Sequence, residues 1–474
     1  MLFRLLCEHH ITLYMIIQGK ASPEQDRKKA FYEHAQNRAK GHEIFPPFLL
    51  PKEERRLYVR QTMREDHQYR IHNRPEGAQA KFKKLGKSPF TFFRGTALLF
   101  YRDHAGEDGH LPKVFTIGDV HPENFGVMPN KNGAPFFGVN DFDEAYIAPF
   151  SYDVKRGALG FYLVSYEAGR KKKHCKKAVK HFVKGYLKGL KEFARDDREK
   201  WHEYRIDNSP KMIRKLLKNS LQSREKWLKK IVDLKKCQFI PGEEIVPLSD
   251  KKEDFQKVVD KYLESNEDVV KNFSENENFF RVLDVAIKKG SGTASLGLDR
   301  FFILIEGNST EDPGNSVILE LKETRESALS GLVPGEKKKT SKSQSQKIIK
   351  AHEVHLAGGD PYYGQATYDG RDFLVRERSP FKDDIDVDDL DKGEMNEYAE
   401  ICGKTLAQTH ARSDEDTGIM KGNAEEKILE CIQEKLFIRD MVGFARTNAK
   451  RLLKDFKLFK KDYAKGGFNF VGNQ

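Results

Sequence analysis

The sequence predicts an α+β fold, and three observations lead to this prediction. Apolar residues recur at three- and four-residue spacing over 176–193, which places them on one face of a helix. Short apolar runs separated by glycine- and asparagine-rich turns lie in 113–150 and again in 281–323, as in β-strands joined by tight turns. A second helical pattern, over 395–413, follows the last predicted strand. We therefore expect both helices and small sheets.

Composition favours a globular protein with a heavily solvated surface. The 474 residues are 33% charged and 38% hydrophobic, and the length suits two or three domain-sized units. A net charge of +12 favours anionic partners, such as a phosphate-bearing substrate, nucleic acid or an anionic membrane surface. The simpler interpretation is that Lys-rich helix faces keep the protein in solution.

Cysteine usage and hydropathy indicate a cytoplasmic protein. The five cysteines are odd in number and none form a close pair, which argues against a disulfide framework and a zinc site. No apolar run reaches the length of about eighteen residues that a transmembrane helix needs. We expect a reducing compartment and no membrane-spanning segment.

The first half of the chain divides into a helical extension, 1–80, and a unit with the first strands, 81–199. Polar helices are predicted on both sides of the Pro46-Pro47 turn. The aromatic-rich stretch 88–103 is expected to be buried. Two β elements follow, joined by a hairpin-type turn at 129–133.

The second half contains a Lys- and Glu-rich helical insert, 200–280, a sheet unit, 281–390, and C-terminal helices, 391–474. Three strands with a glycine turn open the sheet unit, and a basic loop then leads into a helix that ends near His355. The segment DFLVRE, 372–377, is a further predicted strand.

The first chemical motif is GDVHPEN, which contains Asp119, His121 and Asn124. An Asp and an Asn five residues apart on a tight loop can accept a proton from a hydroxyl and bind Mg²⁺, and Asp141 and Asp143 follow at another strand end. Two neighbouring carboxylates repel each other unless a cation lies between them. The alternative is structural, because Asp, Asn, Pro and Gly are common turn residues.

The second motif is the glycine-rich string GSGTASLG between two strands. Glycines there allow backbone amides to approach nucleotide phosphates, and Lys322 on the next strand is suited to hold them. A plain hairpin turn and an exposed edge-strand lysine are the alternatives. The candidate nucleotide-binding residues of the string are Gly290, Ser291, Gly292, Thr293 and Gly297.

Together these motifs resemble the protein-kinase-like superfamily. GDVHPEN is similar to the catalytic loop of its aminoglycoside and choline kinase branch, and NDFDEA to that branch's metal-binding sequence. The resemblance implies that Asp119 is the catalytic base, that His121 orders the loop, and that Asn124 and Asp141, with Asp143, hold Mg²⁺. Asp153 is similar to a later Asp that braces this loop, with Arg156 nearby.

Over about 80–460 the chain more closely resembles the bacterial family called domain of unknown function 2252. The strings that carry this resemblance are SPFTFFRGTA, GDVHPENFG, NDFDEA, GSGTASLG, LELKE and THARS. The chemistry of that family is itself largely inferred, so the likeness bears on the fold more than on a substrate.

The order of the motifs departs from ordinary kinases, since the glycine-rich string and Lys322 follow GDVHPEN by about 170 residues. The resemblance therefore implies a two-lobed kinase-like fold with circularly permuted lobes and extra helices. Glu353 is the candidate acidic partner of Lys322. Arg94 is expected to pair with an acidic group, and His410 and Arg412 to brace the site.

The expected function is ATP- and Mg²⁺-dependent transfer of phosphate to an unidentified small molecule or protein. Transfer of AMP on the same fold, and a nucleotide-binding scaffold without turnover, are alternatives that the sequence leaves open. Nucleic-acid binding through the Lys-rich 200–236 and 335–350 stretches is less favoured, because aromatic residues are sparse there.

Overall fold

The computed structural model describes residues 27–273, 276–290, 298–308, 313–335, 343–381 and 383–470. In these ranges no helix combines the length and apolar character needed to cross a membrane. The helices are α1 (Lys28–Ala39), α2 (Lys52–Asp66), α3 (Gln68–Asn73), α4 (Pro75–Leu85), α5 (Pro89–Arg94), α6 (Ala97–Asp103), α7 (Ser151–Glu167), α8 (Lys172–Phe193), α9 (Lys211–Ser220), α10 (Arg224–Leu228), α11 (Lys252–Glu264), α12 (Glu267–Asn272), α13 (Gln344–His355), α14 (Lys392–Ala411), α15 (Ala424–Glu430) and α16 (Glu434–Ala464).

The described strands form one larger sheet and three two-stranded pairs, all antiparallel. The larger sheet has the order β11-β12-β10-β9-β8-β7, and the pairs are β1–β4, β2–β3 and β5–β6. The strands are β1 (Lys113–Thr116), β2 (Phe125–Pro129), β3 (Pro135–Val139), β4 (Tyr146–Pro149), β5 (Val232–Asp233), β6 (Gln238–Phe239), β7 (Ile245–Pro247), β8 (Val282–Lys288), β9 (Arg300–Ile305), β10 (Val317–Glu323), β11 (Gly364–Tyr368) and β12 (Arg371–Glu377).

The six-stranded sheet has one apolar face and one face that carries charge. Leu319 and Leu321 of β10 point toward α11 and share a core with its residues. Because side chains alternate along a strand, Glu320 and Lys322 point to the other face. Arg376 of β12 lies directly opposite Glu320 in the register, so it faces the same way. We call residues 245–377 the sheet unit.

A second core joins α7, α8, α14 and α16 with strands β1 to β4, and we call this assembly the helical unit. Helices α8 and α14 approach closely where each carries a glycine. A Cβ on Gly185 would overlap the carbonyl oxygen of Glu400, and one on Gly403 would overlap that of Phe182. Close backbone contact at these positions fixes α8 against α14.

The predicted α+β mixture of helices and small sheets is confirmed, and the described sheets are antiparallel. The hairpin around 129–133 is present as β2 and β3, and the three strands predicted after 281 are β8, β9 and β10. The stretch predicted as a helical insert, 200–280, contains strands as well as helices. Strand β7 joins the sheet beside β8, and α11 covers the apolar face of the sheet, so this stretch completes the sheet unit.

Candidate active site between the two units

The loop after β1, residues 117–124, presents Asp119 from a tight turn. Gly118 has φ +81°, and a Cβ there would overlap the backbone of Glu144, so the turn requires glycine. Arg156 of α7 donates from Nε at 2.8 Å and from Nη2 at 2.6 Å, both to Oδ1 of Asp119. Burial raises the pKa of the Asp119 carboxyl above its usual value, although Arg156 opposes the shift.

A buried carboxylate braces this loop from below. Asp153 accepts hydrogen bonds from the backbone N–H groups of Ile117 at 2.7 Å and Gly118 at 3.0 Å. His410 of α14 lies 3.1 Å from the same carboxylate, and its other ring nitrogen is 2.8 Å from the hydroxyl of Tyr186. The bracing contacts implied for Asp153 and His410 are therefore present.

Asn124 ties the Asp119 loop to the segment that follows β3. Its Nδ2 group donates to the backbone carbonyls of Asp119 and Asp141, each at 3.1 Å. Because two carbonyl oxygens can only accept, they fix which end of the amide is NH₂. The amide oxygen therefore lies on the opposite side, where it can bind a cation.

Lys322 of β10 reaches across from the sheet unit to the two carboxylates of the 141–143 segment. Its Nζ lies 3.4 Å from each carboxylate oxygen of Asp141 and in direct contact with Asp143. The Lys322 side chain is only 4% exposed. The structure thus brings together two segments separated by 181 residues, and it places a cation between the carboxylates as their repulsion requires.

The two carboxyl groups titrate differently because of this arrangement. Burial and the charge of Asp141 raise the pKa of Asp143 to about 6, against the effect of Lys322. Burial acts in the same direction on Asp141, but Lys322 and Arg376 outweigh it and lower the pKa of that carboxyl below its usual value. Asp141 therefore stays ionised to a lower pH than Asp143 does.

The donor set fits Mg²⁺ that is shared with a phosphate group. It consists of two carboxylates and the amide oxygen of Asn124, and Mg²⁺ takes oxygen ligands and usually one or two protein carboxylates plus phosphate and water. Among the described residues no group of three or more His, Cys, Asp and Glu side chains is placed to hold a metal. A cage built from those side chains alone is thus not found in this part of the chain.

His121 and Arg94 lie beside Asp119. The His121 ring is buried, with Nε2 3.8 Å from Oδ2 of Asp119. Burial, followed by the charges of Arg94 and Arg156, lowers the pKa of His121 well below its usual value, so the ring is neutral. Arg94 forms an ion pair with Glu123, as expected.

The prediction that Glu353 pairs with Lys322 was wrong. Glu353 lies on the exposed side of α13, with a side chain that is 58% exposed, and it pairs with Lys350 at 3.3 Å. The carboxylates of the 141–143 segment are the partners that Lys322 has instead. Arg412 donates to backbone carbonyls of α13 and of 199–200, which links α14 to the cleft wall.

Most of the glycine-rich string falls outside the described residues. Ser291, Gly292, Thr293 and Gly297 lie in the stretch 291–297, which the structure leaves out. Gly290 is described and has φ +76°, a conformation that favours glycine, at the end of β8.

A cleft between the two units extends the site beyond the predicted residues. The sheet unit contributes Glu320 and Arg376, which form an ion pair at 2.6 Å, and the helical unit contributes Val127 and Met128 of β2. Sequence reasoning missed Arg376 and the contact of Arg156 with Asp119. The alternation of DFLVRE, which puts Arg376 on the face opposite Val375, was the signal available for the first.

Comparison with known proteins gives one match. The family model described as "Uncharacterized protein conserved in bacteria (DUF2252)" matches residues 73–462. No curated protein and no solved structure matches the chain. The matched range includes the Asp119 loop, the 141–143 segment, Lys322 and the braces on α7 and α14. Because that range covers most of the sequence, the chain belongs to the DUF2252 family.

Proposed function

We propose that this protein is an ATP- and Mg²⁺-dependent phosphotransferase with a circularly permuted, protein-kinase-like site. The observation that carries the proposal is the contact of Lys322 with Asp141 and Asp143, next to the amide of Asn124. In protein kinases a strand lysine, a catalytic-loop Asn and a metal-binding Asp meet in this way around the nucleotide phosphates.

The order of elements in the sheet unit supports the proposal. Lys322 lies on the strand that follows β8 and β9, and the glycine-rich string lies between those two. Protein kinases carry their phosphate-binding lysine on the third strand, after a glycine-rich loop. Helix α13 and strands β11 and β12 come next, and residues 378–391 lead into α14 of the helical unit.

The side chains of the Asp119 loop are suited to general-base catalysis. Arg156 holds Oδ1 of Asp119, which leaves Oδ2 as the oxygen that can accept the proton of an acceptor hydroxyl. Asp153 fixes the loop through its backbone amides, so the carboxylate is oriented before the acceptor arrives. Mg²⁺, held by Asn124 and Asp141, with Asp143, would neutralise charge on the phosphates.

Calorimetric titration of ATP with Mg²⁺ tests whether the two segments form one site. We expect wild type to bind and both Lys322→Ala and Asp141→Asn to weaken binding at least tenfold, because each removes a charged contact worth about 1.5–3 kcal/mol. Lys257→Ala is the matched control, since Lys257 is exposed on α11, which covers the opposite, apolar face of the same sheet. Absence of ATP binding to wild type would contradict the proposal.

Product analysis tests the transfer itself. Asp119→Asn keeps the size of the side chain but removes the base, so we expect ATP binding close to wild type and turnover lower by about 10² to 10⁴. Unchanged turnover in this variant would remove Asp119 from the mechanism. The mass of the modified acceptor, heavier by a phosphoryl group or by AMP, separates phosphate transfer from AMP transfer.

A further inference from the structure

Helix α8 carries an uninterrupted row of lysines on its exposed face. The row comprises Lys173, Lys177, Lys180, Lys184, Lys188 and Lys191, all exposed. They follow one another at three- and four-residue spacing, so they form a line about 27 Å long at 1.5 Å per residue. Over the first twenty residues of α8 there is no acidic residue at all. We call this line the α8 row.

Such a row is unfavourable for the helix that carries it, because like charges at these spacings repel. At α10 and α12 the signs are mixed instead: Lys229 pairs with Glu225 at 2.5 Å and Lys271 with Glu267 at 3.6 Å. In the α8 row only the last two lysines have acidic partners within the described residues, Glu400 and Glu434. Because α8 carries these lysines despite their mutual repulsion, we infer that their positive charge serves a function.

A second basic line continues from the first. Arg446, Lys450, Lys454, Lys457 and Lys461 are exposed along α16, and the acidic residue among them, Asp455, is buried. The ion pair of Lys191 with Glu434, at 2.5 Å, places the start of α16 at the end of α8. Tyr162 of α7 lies within the electrostatic reach of Cys175 near the start of α8 and of Arg446. The two helices therefore run in opposite directions, and Arg446, the first residue of the α16 line, lies toward the Lys173 end of the α8 row.

The surroundings of this junction favour nucleic acid over a membrane. Tyr166, 43% exposed, offers an aromatic face there for stacking on a base. Lys171 and Lys392 add charge around His174 at the same end. A helix that binds a membrane buries its apolar face in the lipid, whereas the apolar faces of α8 and α16 are packed in the core.

We propose that the α8 row and the α16 line together bind the phosphate backbone of a nucleic acid, independently of base sequence. The net charge of +12 and the pI near 9.1 agree with this footprint. The surface is separate from the cleft, because the apolar face of α8 packs toward α7, where Phe182 meets Gly157 and Val120, and the row lies on the other side. The proposal therefore does not depend on the phosphotransferase activity.

Fluorescence anisotropy with labelled oligouridylate, measured over a series of KCl concentrations, tests the proposal. We expect wild type to bind with a linear fall of log affinity against log salt. The triple variant Lys177→Glu, Lys180→Glu, Lys184→Glu should bind at least about tenfold more weakly, with a salt slope smaller by about 2, since each contact with a single strand contributes about 0.7.

A matched control distinguishes the effect of losing the α8 lysines from the effect of lowering the net charge of the protein. The variant Lys235→Glu, Lys236→Glu, Lys257→Glu changes the same number of exposed lysines, between β5 and β6 and on α11, and we expect its affinity to stay within about twofold of wild type. Equal losses in both triple variants would overturn the assignment to α8. So would the absence of oligouridylate binding at low salt, including the case in which wild type binds phosphatidylserine vesicles instead. Circular dichroism checks that both variants are folded.

Discussion

At the scale of single residues, buried charge sets the properties of the cleft wall. Asp360 accepts hydrogen bonds from the backbone N–H groups of Tyr362 at 2.8 Å and Glu377 at 2.7 Å. Burial, with a contribution from the charge of Glu377, nevertheless raises the pKa of Asp360 to about 7. Near neutral pH this carboxyl therefore changes between its two forms.

The raised pKa of Asp360 predicts a pH-dependent stability. The folded protein holds a proton on Asp360 that the unfolded chain, with a carboxyl pKa of about 3.9, has already released. The free energy of unfolding should therefore fall as the pH rises from about 5.5 to 8, by on the order of 1–2 kcal/mol from this residue. Urea denaturation of wild type and Asp360→Asn measures the difference, and parallel pH profiles would contradict it. Asp369→Asn, in an exposed turn, is the control.

The sequence predicted which side chains of a motif meet when those residues lie close together in the chain. Asp119 and Asn124 share one loop, so their joint position follows from five-residue spacing and a tight turn. The partner of Lys322 was not predictable in the same way. Glu353 has the negative charge that a partner of Lys322 needs, but α13 is rotated so that this side chain faces solvent. Helix rotation depends on tertiary packing, which a single pattern does not encode.

At the scale of elements, one carboxylate connects a helix, a loop and a second helix. Asp153, near the start of α7, accepts hydrogen bonds from two backbone N–H groups of the Asp119 loop. Its fully buried side chain also contacts His410 of α14. The loop is thus positioned by two helices of the core rather than by its own turn alone.

Because Asp153 braces the Asp119 loop, even a substitution that keeps the size of its side chain should lower the free energy of unfolding substantially. Asp153→Asn replaces one acceptor oxygen by an NH₂ group that faces a backbone N–H, so we expect the free energy of unfolding to fall by about 3 kcal/mol. If the protein is the proposed phosphotransferase, turnover should fall as well, because Asp119 loses its support. Asp391→Asn is the matched control, since Asp391 also accepts two backbone N–H groups but through one oxygen at an exposed helix start, where Asn caps about as well as Asp and the cost should be small. Equal costs in urea denaturation would argue against the brace.

Helices and hairpins with strong patterns were predicted well, and weakly patterned segments were not. The 22-residue helix α8 keeps its apolar residues on one face throughout, so periodicity was sufficient. Strand β7 has only three residues inside a Lys- and Glu-rich stretch, and it forms because β8 offers an edge to pair with. Short edge strands of this kind depend on a partner that is distant in sequence.

At the scale of the whole molecule, N-terminal helices fasten the sheet unit to the helical unit. Arg325, just after β10, pairs with Asp66 of α2 at 2.6 Å and with Glu144 beside the 141–143 segment. Arg74 pairs with Asp299 at the start of β9 at 2.6 Å. The stretch predicted as a helical extension, 1–80, thus includes residues that hold the cleft together.

Removal of Arg325 should weaken the whole fold. Arg325→Ala leaves two buried carboxylates without their cation, and we expect the free energy of unfolding to fall by about 3–5 kcal/mol. Arg281→Ala is the control, because Arg281 is 59% exposed and its pair with Glu306 should contribute less than about 1 kcal/mol. Urea denaturation measures both, and equal losses would show that Arg325 is no more than a surface residue in its effect.

The ammonium group of Lys322 would compete with the proposed divalent cation for the same two carboxylates. A metal ion would gain them only when the lysine turns to another anion, and a phosphate group is such an anion. If nucleotide binds as proposed, metal and phosphate each improve the site for the other, and thermodynamic reciprocity makes the two effects equal. The site would then bind either ligand weakly when it is alone and would bind the two tightly when both are present.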